Sequence, residues 1–143
     1  DKITLAEDLM ELRLRVEPWA AQLAAQRITD EEMPELQARC EEVTRIIRSG
    51  EDHGAADKAF HAYIAQCTHN SVITEIMPVI TYSIEMYTHF RSKRLLEDTI
   101  RTHTQITEAI CARDPQKAYE AMYKHVAQNQ DGIDMAKQAV VEN

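Results

Sequence analysis

The sequence predicts an all-α fold, an antiparallel bundle of six or seven helices. Through most of the 143 residues, apolar side chains recur every three or four positions, the spacing that places them on one face of a helix. The chain contains only 3 Gly and 4 Pro, so we expect few turns and long regular elements. Its 44% hydrophobic and 28% charged residues are typical of globular proteins, and residues 1–143 are therefore interpreted as one domain.

Composition and short motifs exclude several classes of protein. The net charge is −8 at pH 7 and no run of basic residues occurs, so this chain alone is not expected to bind DNA. The glycine-rich strings of nucleotide-binding loops and the nucleophile elbow of hydrolases do not occur. No apolar stretch is long enough to span a bilayer, so no membrane partner is expected. Cys40, Cys67 and Cys111 lack CxxC spacing and indicate reduced thiols of a cytoplasmic protein.

The first two helices are predicted up to about residue 27 and from about 29 to 49. An apolar stripe marks the first of them, formed by Leu5, Leu9, Leu12, Val16, Trp19 and Leu23. Pro18 interrupts this stripe, and we expect a kink there. Thr29 and Glu32 have the spacing of a capping box at the start of the second helix, with Thr29 as the N-cap.

Four more helices are predicted in the rest of the chain. The fourth is expected to kink at Pro78, and the polar stretch that follows it is expected to form a turn at 91–97. Asp114 and Pro115 indicate the start of the last helix, as N-cap and first helical residue. The expected ranges are about 52–68, 71–91, 97–112 and 115–132, with an extension of the last helix to 141 as the alternative.

One aspartate and three histidines are candidates for a metal site. Asp57 and His61 are four residues apart, so they share one face of the third helix, while His103 and His125 lie among the apolar residues of the last two helices. These buried groups need partners, and one metal ion can satisfy three nitrogens and one oxygen together. Each histidine alone also fits an ordinary hydrogen-bonded core residue. The other histidines are expected near helix ends as solvated or capping residues: His53, His69 and His89.

One arginine borders the stripe of the first helix and is a candidate for binding an anion. Arg13 lies four residues after Leu9 and three before Val16. Its guanidinium can bind a carboxylate through two hydrogen bonds, and a metal with open coordination positions beside it would suit a small organic acid. The alternative is an ordinary ion pair with Glu17 at i+4, or with Glu11 through solvent. Further arginines that could contribute are Arg91, Arg94 and Arg101.

Four segments match one family pattern, in the right order and with consistent spacing. They are Glu11-Leu12-Arg13 with Glu17-Pro18 and the Ala-rich stretch 20–27; Asp57-Lys58-Ala59-Phe60-His61 with Thr68-His69-Asn70; His103-Thr104-Gln105-Ile106 with Ala109-Ile110; and Asp114, Ala118, Met122 and His125. Over about residues 3–127 the chain therefore resembles the FCD domain, the C-terminal effector-binding domain of GntR-type bacterial transcription regulators. His69 stands where that family usually has Gly.

The resemblance implies a set of site residues and partners. Asp57, His61, His103 and His125 would be the metal ligands of the metal-binding branch of the family, and Arg13 would hold the carboxylate of a small effector. Zinc is the expected metal, with nickel, manganese or iron as alternatives. A central cavity for the metal and the ligand, a homodimer, and DNA binding only through an N-terminal winged helix-turn-helix domain absent from this chain are also implied.

The interpretation as a ligand-sensing domain has two rivals, a helical-bundle metalloenzyme and a structural module that the metal stabilises. An enzyme needs a general base beside the metal. Apart from Asp57, the only acidic residues that the sequence places near the interior are Glu85 and Glu108. The protein is therefore predicted not to be an enzyme.

Overall fold

The computed structural model describes residues 1–142 and every side chain among them except that of His89. This part of the chain is helical and contains no β-strand, which confirms the predicted all-α class. The elements are α1 (Lys2–Arg27), α2 (Met33–Ser49), α3 (Gly54–Cys67), α4 (Ser71–Ile80), α5 (Ser83–Tyr87), the 3-10 helix η1 (Thr88–Phe90), α6 (Lys93–Cys111) and α7 (Pro115–Glu142). Within residues 1–142, no helix combines the length and apolarity needed to cross a membrane.

The two longest helices, α1 and α7, pack along each other in antiparallel directions. At one end, Arg113 at the start of α7 donates to the carbonyl of Ile28, just after α1. At the other end, Lys137 Nζ lies 2.5 Å from Glu7 Oε1. The shorter helix α3 packs against α1, α2 and α4, and α6 packs against α7, α2 and α1. Both α3 and α6 therefore present side chains to the centre of the bundle.

The buried face of α1 differs from the predicted stripe. Leu9 and Leu23 are buried, but Leu5, Leu12 and Trp19 are exposed, each by 45–49%. The buried residues of α1 are Ala6, Leu9, Met10, Arg13, Glu17, Pro18, Ala20, Ala21, Leu23, Ala24 and Ala25. Small alanines let neighbouring helices approach closely, and a search for large apolar residues does not detect such a face. The predicted stripe is therefore not the buried face of α1, and only part of it contacts the core.

The predicted capping box forms only in part. The carboxylate of Glu32 accepts a hydrogen bond from the backbone N–H of Thr29 at 2.9 Å, as the motif requires. The helix itself begins later than expected, at Met33, because residues 30–32 form a turn. Pro34 then occupies one of the first helical positions, where proline is favourable.

The fourth predicted helix is divided into α4, α5 and η1. The backbone N–H and the hydroxyl of Thr81 both donate to the carbonyl of Met77, each at 2.9 Å, and α4 ends there. The turn predicted at 91–97 was also wrong, because Ser92 caps the next helix by accepting from the N–H of Leu95, and α6 begins at Lys93.

The last helix follows the longer of the two expectations. Asp114 accepts a hydrogen bond from the backbone N–H of Lys117 at 3.1 Å, which confirms it as a capping residue. The helix continues through Gly132 to Glu142. Gly132 is buried where α7 passes the carbonyl of Tyr87, and a Cβ at this position would lie 3.7 Å from that oxygen.

Candidate metal centre and ligand cavity

Helices α3, α6 and α7 bring the four candidate metal ligands together in the middle of the bundle. We call this group the Asp/His3 cluster: Asp57, His61, His103 and His125. All four are buried, with at most 1% of each residue exposed. Each offers one ligand atom, and these four atoms lie within 4.8 Å of one another.

The spacing of the ligand atoms fits a bound metal ion. Asp57 Oδ1 lies 3.2 Å from His61 Nε2 and 3.3 Å from His103 Nε2. His103 Nε2 in turn lies 3.2 Å from His125 Nε2. Around a tetrahedral zinc ion with ligands about 2.0–2.1 Å away, neighbouring ligand atoms are about 3.3 Å apart. The donor set of three imidazoles and one carboxylate also suits nickel, iron or manganese.

Hydrogen bonds outside the cluster orient two of the histidine rings. His61 Nδ1 is paired with the carboxylate of Glu17. His125 Nδ1 lies 2.8 Å from Thr102 Oγ1, whose own hydrogen is donated to the carbonyl of Asp98 at 2.8 Å. The hydroxyl oxygen must therefore accept from His125 Nδ1–H. In both rings, these bonds leave the lone pair of Nε2 directed into the cluster, which is the arrangement that metal-binding histidines need.

Three buried atoms of the cluster have no hydrogen-bond partner among the described residues: Asp57 Oδ1, His61 Nε2 and His103 Nδ1. The first two face each other at 3.2 Å. When His61 is neutral, with its proton on Nδ1, both atoms are acceptors and repel each other. A cation between them removes this conflict, either a metal ion or, below the His61 pKa of about 9, a second proton on Nε2. The residues present therefore fit a divalent metal ion.

The charges around the cluster strongly perturb its acid–base groups. Burial alone would raise the pKa of Glu17, but the neighbouring His61 and Arg13 lower it to about 2. Burial would lower the pKa of His61, but Glu17 and Asp57 raise it to about 9. Burial lowers the pKa of His103 and, together with the neighbouring histidines, holds that of His125 well below its usual value. Two histidines of the cluster are thus neutral near pH 7 even without a metal.

Arg13 forms an ion pair with Glu17, which the sequence analysis gives as the alternative to anion binding. Its Nε donates to Glu17 Oε2 at 2.6 Å, and both side chains are at most 2% exposed. The pair does not use the whole guanidinium, however. Arg13 Nη2 is buried and has no hydrogen-bond partner among the described residues. This nitrogen is therefore free to bind a further acceptor.

A small cavity lies beside Arg13. Side chains from α1, α5 and α7 line it, and Arg91, which follows η1, completes its wall. Its polar side chains include Arg13, Ser83, Arg91 and Asn129, and its apolar side chains include Ile84 and Ile133. The free space is about 10 Å³, which is room for about one water molecule.

Of the three further arginines considered, only Arg91 faces the site. Its Nη1 lies 3.3 Å from Asp57 Oδ2 and 3.2 Å from His53 Nε2, and its side chain is 6% exposed. Arg94 and Arg101 are exposed, and Arg101 pairs with Asp98. His53 is buried against Arg91, so the expectation that it is solvated was wrong. It occupies the N-cap position of α3 without making a capping bond.

His69 lies apart from the described site. His69 is exposed and pairs with Glu32 at 2.8 Å. Its φ of +53° is in the left-handed region, which explains why glycine is the usual residue at this position of the FCD pattern. The prediction for His89 concerns a side chain outside the described part of the structure.

Glu17 is a residue of the site that the sequence analysis did not predict. The sequence indicates only an ordinary partner of Arg13, yet Glu17 is buried and contacts a residue of the Asp/His3 cluster. Glu85 and Glu108, which the sequence placed near the interior, have a half-exposed and an exposed side chain. Both oxygens of Glu17 are occupied, so it does not provide a free general base beside the metal position.

Comparison with known proteins identifies the family. The model of the FCD domain matches residues 8–128. The chain belongs to the FCD domain family. It is 32% identical over 129 residues to the Bacillus subtilis protein called uncharacterized HTH-type transcriptional regulator YcbG, covering 87% of this chain and 53% of that protein. It is 26% identical over 133 residues to the HTH-type transcriptional regulator LutR of B. subtilis, covering 87% of this chain and 60% of LutR.

Solved structures agree with this assignment. The Streptococcus agalactiae GntR structure superimposes with a TM-score of 0.81 and 31% identity, over 90% of this chain and 59% of that one. The Escherichia coli McbR/YncC structure shares the fold, with a TM-score of 0.78 and 17% identity over 93% of this chain and 65% of that one. This FCD domain spans about half the length of the curated relatives it matches. Those relatives are named as transcription regulators, so the family is regulatory and not enzymatic.

Proposed function

We propose that this FCD domain is the ligand-sensing part of a bacterial GntR-type transcription regulator and belongs to the metal-binding branch of its family. The Asp/His3 cluster holds a divalent ion, zinc in the first place and nickel, manganese or iron otherwise. Arg13 binds the carboxylate of a small organic acid. The observation that carries the proposal is the unpaired, buried Nη2 of Arg13 in a cavity next to four converging ligand atoms.

Two arginines that line the cavity connect it to the Asp/His3 cluster. Arg13 contacts Glu17, which contacts His61, and Arg91 contacts Asp57 directly. A bound metal ion with an open position would supply Lewis acidity that attracts a carboxylate oxygen. The protein's own contribution is a buried guanidinium that orients the same carboxylate and a cavity that excludes bulk water.

Regulation requires that the ligand prefer one arrangement of the domain. The cavity wall combines residues from α1, α5 and α7 with Arg91, so a ligand that fills it changes how these elements pack. Only such a difference in affinity between two arrangements can alter DNA binding elsewhere in the protein. We assign DNA binding to an N-terminal winged helix-turn-helix domain outside these 143 residues. A regulator of this kind acts in the cytoplasm.

We also propose that the protein is a homodimer. Leu5, Leu12 and Trp19 lie seven residues apart on α1 and leave an apolar row exposed. Each copy carries a charge of −8, so association needs an apolar contact that outweighs the repulsion. Sedimentation should show a dimer that Trp19→Glu converts to a monomer, whereas Tyr123→Glu, at an exposed aromatic residue on α7, leaves it unchanged. A monomeric parent protein would contradict this part.

Metal analysis and calorimetry test the main proposal. The purified protein should bind about one zinc per chain, and His103→Ala and His125→Ala should lose it, while His69→Ala should not. Zinc-loaded protein should bind at least one of two probes, propionate or succinate, and Arg13→Gln should weaken this binding while Arg101→Gln leaves it intact.

Three other experimental results would contradict or change this proposal. Zinc contents that are the same in the parent and both cluster variants would refute the metal site. If zinc binds but neither acid does, the domain is a metal-stabilised structural module. If an acid is consumed instead of bound unchanged, the metalloenzyme interpretation is correct.

A further inference from the structure

Among the described residues, the polar side chains that line the cavity offer hydrogen-bond donors and no carboxylate. Arg13, Arg91 and Asn129 contribute nitrogens, and Ser83 contributes a hydroxyl. Besides Arg13 Nη2, the amide nitrogen of Asn129 is buried and lacks a partner within the described part of the chain. A buried donor without an acceptor is unfavourable, so the cavity suits a ligand with several acceptor oxygens.

The hydrogen bonds of Arg91 Nη1 are long. This nitrogen has two hydrogens but faces three acceptors, His53 Nε2 at 3.2 Å, Asp57 Oδ2 at 3.3 Å and Thr99 Oγ1 at 3.4 Å. Each distance is long for a charged donor, which normally approaches an anion to about 2.7–2.9 Å. An oxygen anion of a ligand can therefore compete for this group.

The buried charges of the site are unbalanced once a metal is bound. Apart from the histidines, the charged side chains buried around the cluster and cavity are two cations, Arg13 and Arg91, and two anions, Glu17 and Asp57, in the part of the chain described. These four sum to zero. Metal-bound histidines are neutral, and His53 is neutral because its Nε2 accepts from Arg91. A divalent ion therefore leaves a net charge of +2 in a region that water does not screen.

We infer that, if the proposed metal and carboxylate site is correct, its ligand is a dianion, a small dicarboxylate. One carboxylate occupies the position beside the metal and Arg13. The second is bound by Arg91 and the amide of Asn129. A monocarboxylate would leave one positive charge and at least one buried donor without a partner, so the site discriminates against it.

Two acids of the same size but different charge provide the test. Succinate carries two negative charges at pH 7.5, and its monoamide, succinamate, carries one. Calorimetry with the zinc-loaded protein should give at least tenfold tighter binding for succinate. Zinc content is measured before and after each titration, so that removal of the metal by the acid is detected. After removal of zinc with a chelator, the charge that favours the dianion is gone and the preference should shrink.

Variants of the residues proposed to bind the second carboxylate of the ligand test the assignment further. Arg91→Gln should weaken succinate binding at least tenfold and succinamate binding much less, with zinc still bound. Asn129→Asp keeps the shape of the side chain but adds a negative charge, and it should affect succinate more than succinamate. Arg101→Gln removes an exposed arginine of α6 and serves as the matched control, with no effect on either acid.

The outcomes separate this inference from the proposal on which it rests. Equal affinities for succinate and succinamate would overturn the dianion assignment and leave the sensor proposal standing. A preference that persists unchanged in Arg91→Gln, or without zinc, would overturn the charge argument. If neither acid binds to zinc-loaded protein, both the inference and the carboxylate part of the proposed function fail.

Discussion

Replacing Glu17 by Gln should destabilise the metal-free protein by about 3 kcal/mol. The change removes one negative charge that lies between Arg13 and His61, while the side-chain volume is conserved. The pKa of Glu17 is lowered from 4.5 to about 2, a difference that corresponds to about 3 kcal/mol. Breaking a buried ion pair by removing one partner typically costs about 3–5 kcal/mol, so the two estimates agree.

Chemical unfolding at pH 7 measures this effect, and a second glutamate provides the control. Glu35 pairs with Arg39 at the same i,i+4 spacing and at 2.9 Å, but on the surface, with half of the Glu35 side chain exposed. Glu35→Gln should therefore cost only about 0.3–0.5 kcal/mol. If Glu17→Gln destabilises the protein no more than Glu35→Gln, the buried pair does not have the energetic role assigned to it.

The same variant has a distinctive pH dependence. Because the pKa of Glu17 is lowered in the folded state, its contribution to stability is complete above pH 4.5 and is lost as the pH falls towards 2. The difference between parent and variant should shrink over that interval. Since Glu17 also orients His61, the variant should bind zinc about 10–100-fold more weakly, which competition with a chromogenic chelator measures.

Four further predictions concern the metal and the packing. At pH 7, zinc binding should release about one proton per ion, because His61 has a pKa of about 9 and must lose its proton. Calorimetry in two buffers of different ionisation enthalpy measures this proton release. If no proton is released, the assignment of His61 as a ligand is contradicted. Free zinc at 100 times its Kd should raise the free energy of unfolding by about 2.7 kcal/mol, and His103→Ala should abolish this increase. Gly132→Ala should stabilise the protein by up to about 1 kcal/mol, because the added Cβ meets only ordinary contacts in a helix interior. Gly54→Ala should destabilise the protein, because the added Cβ would lie 3.1 Å from the Cα of Glu85. If unfolding experiments show that Gly132→Ala destabilises the protein and Gly54→Ala stabilises it, both assignments are refuted.

The sequence identifies His103 and His125 because each is a polar residue among the apolar residues of its helix. Asp57 and His61 also share a face through their i,i+4 spacing, which needs no tertiary information. Their convergence with His103 and His125 follows from the packing of α3, α6 and α7. Their role as metal ligands remains a prediction.

Other parts of the site depend on information that the periodicity does not contain. Arg91 lies in the segment between η1 and α6, where no helical face defines its direction, so Arg94 and Arg101 were equally good candidates. The burial of Glu17 could not be predicted, because an Arg–Glu pair at i,i+4 usually lies on the surface. In α1, the alanine face and the row containing Trp19 could be distinguished only by knowing which one α7 covers.

The small size of the cavity determines the kinetics of ligand capture. A space of about 10 Å³ is smaller than an organic acid, so the wall formed by α1, α5, Arg91 and α7 has to move before one can bind. Opening must therefore precede binding, and the observed association rate should rise with ligand concentration only until it reaches the opening rate, where it becomes constant. The apparent affinity is lower than the intrinsic affinity by the fraction of molecules that are open. Substitutions that loosen this wall without contacting the ligand should therefore accelerate ligand binding.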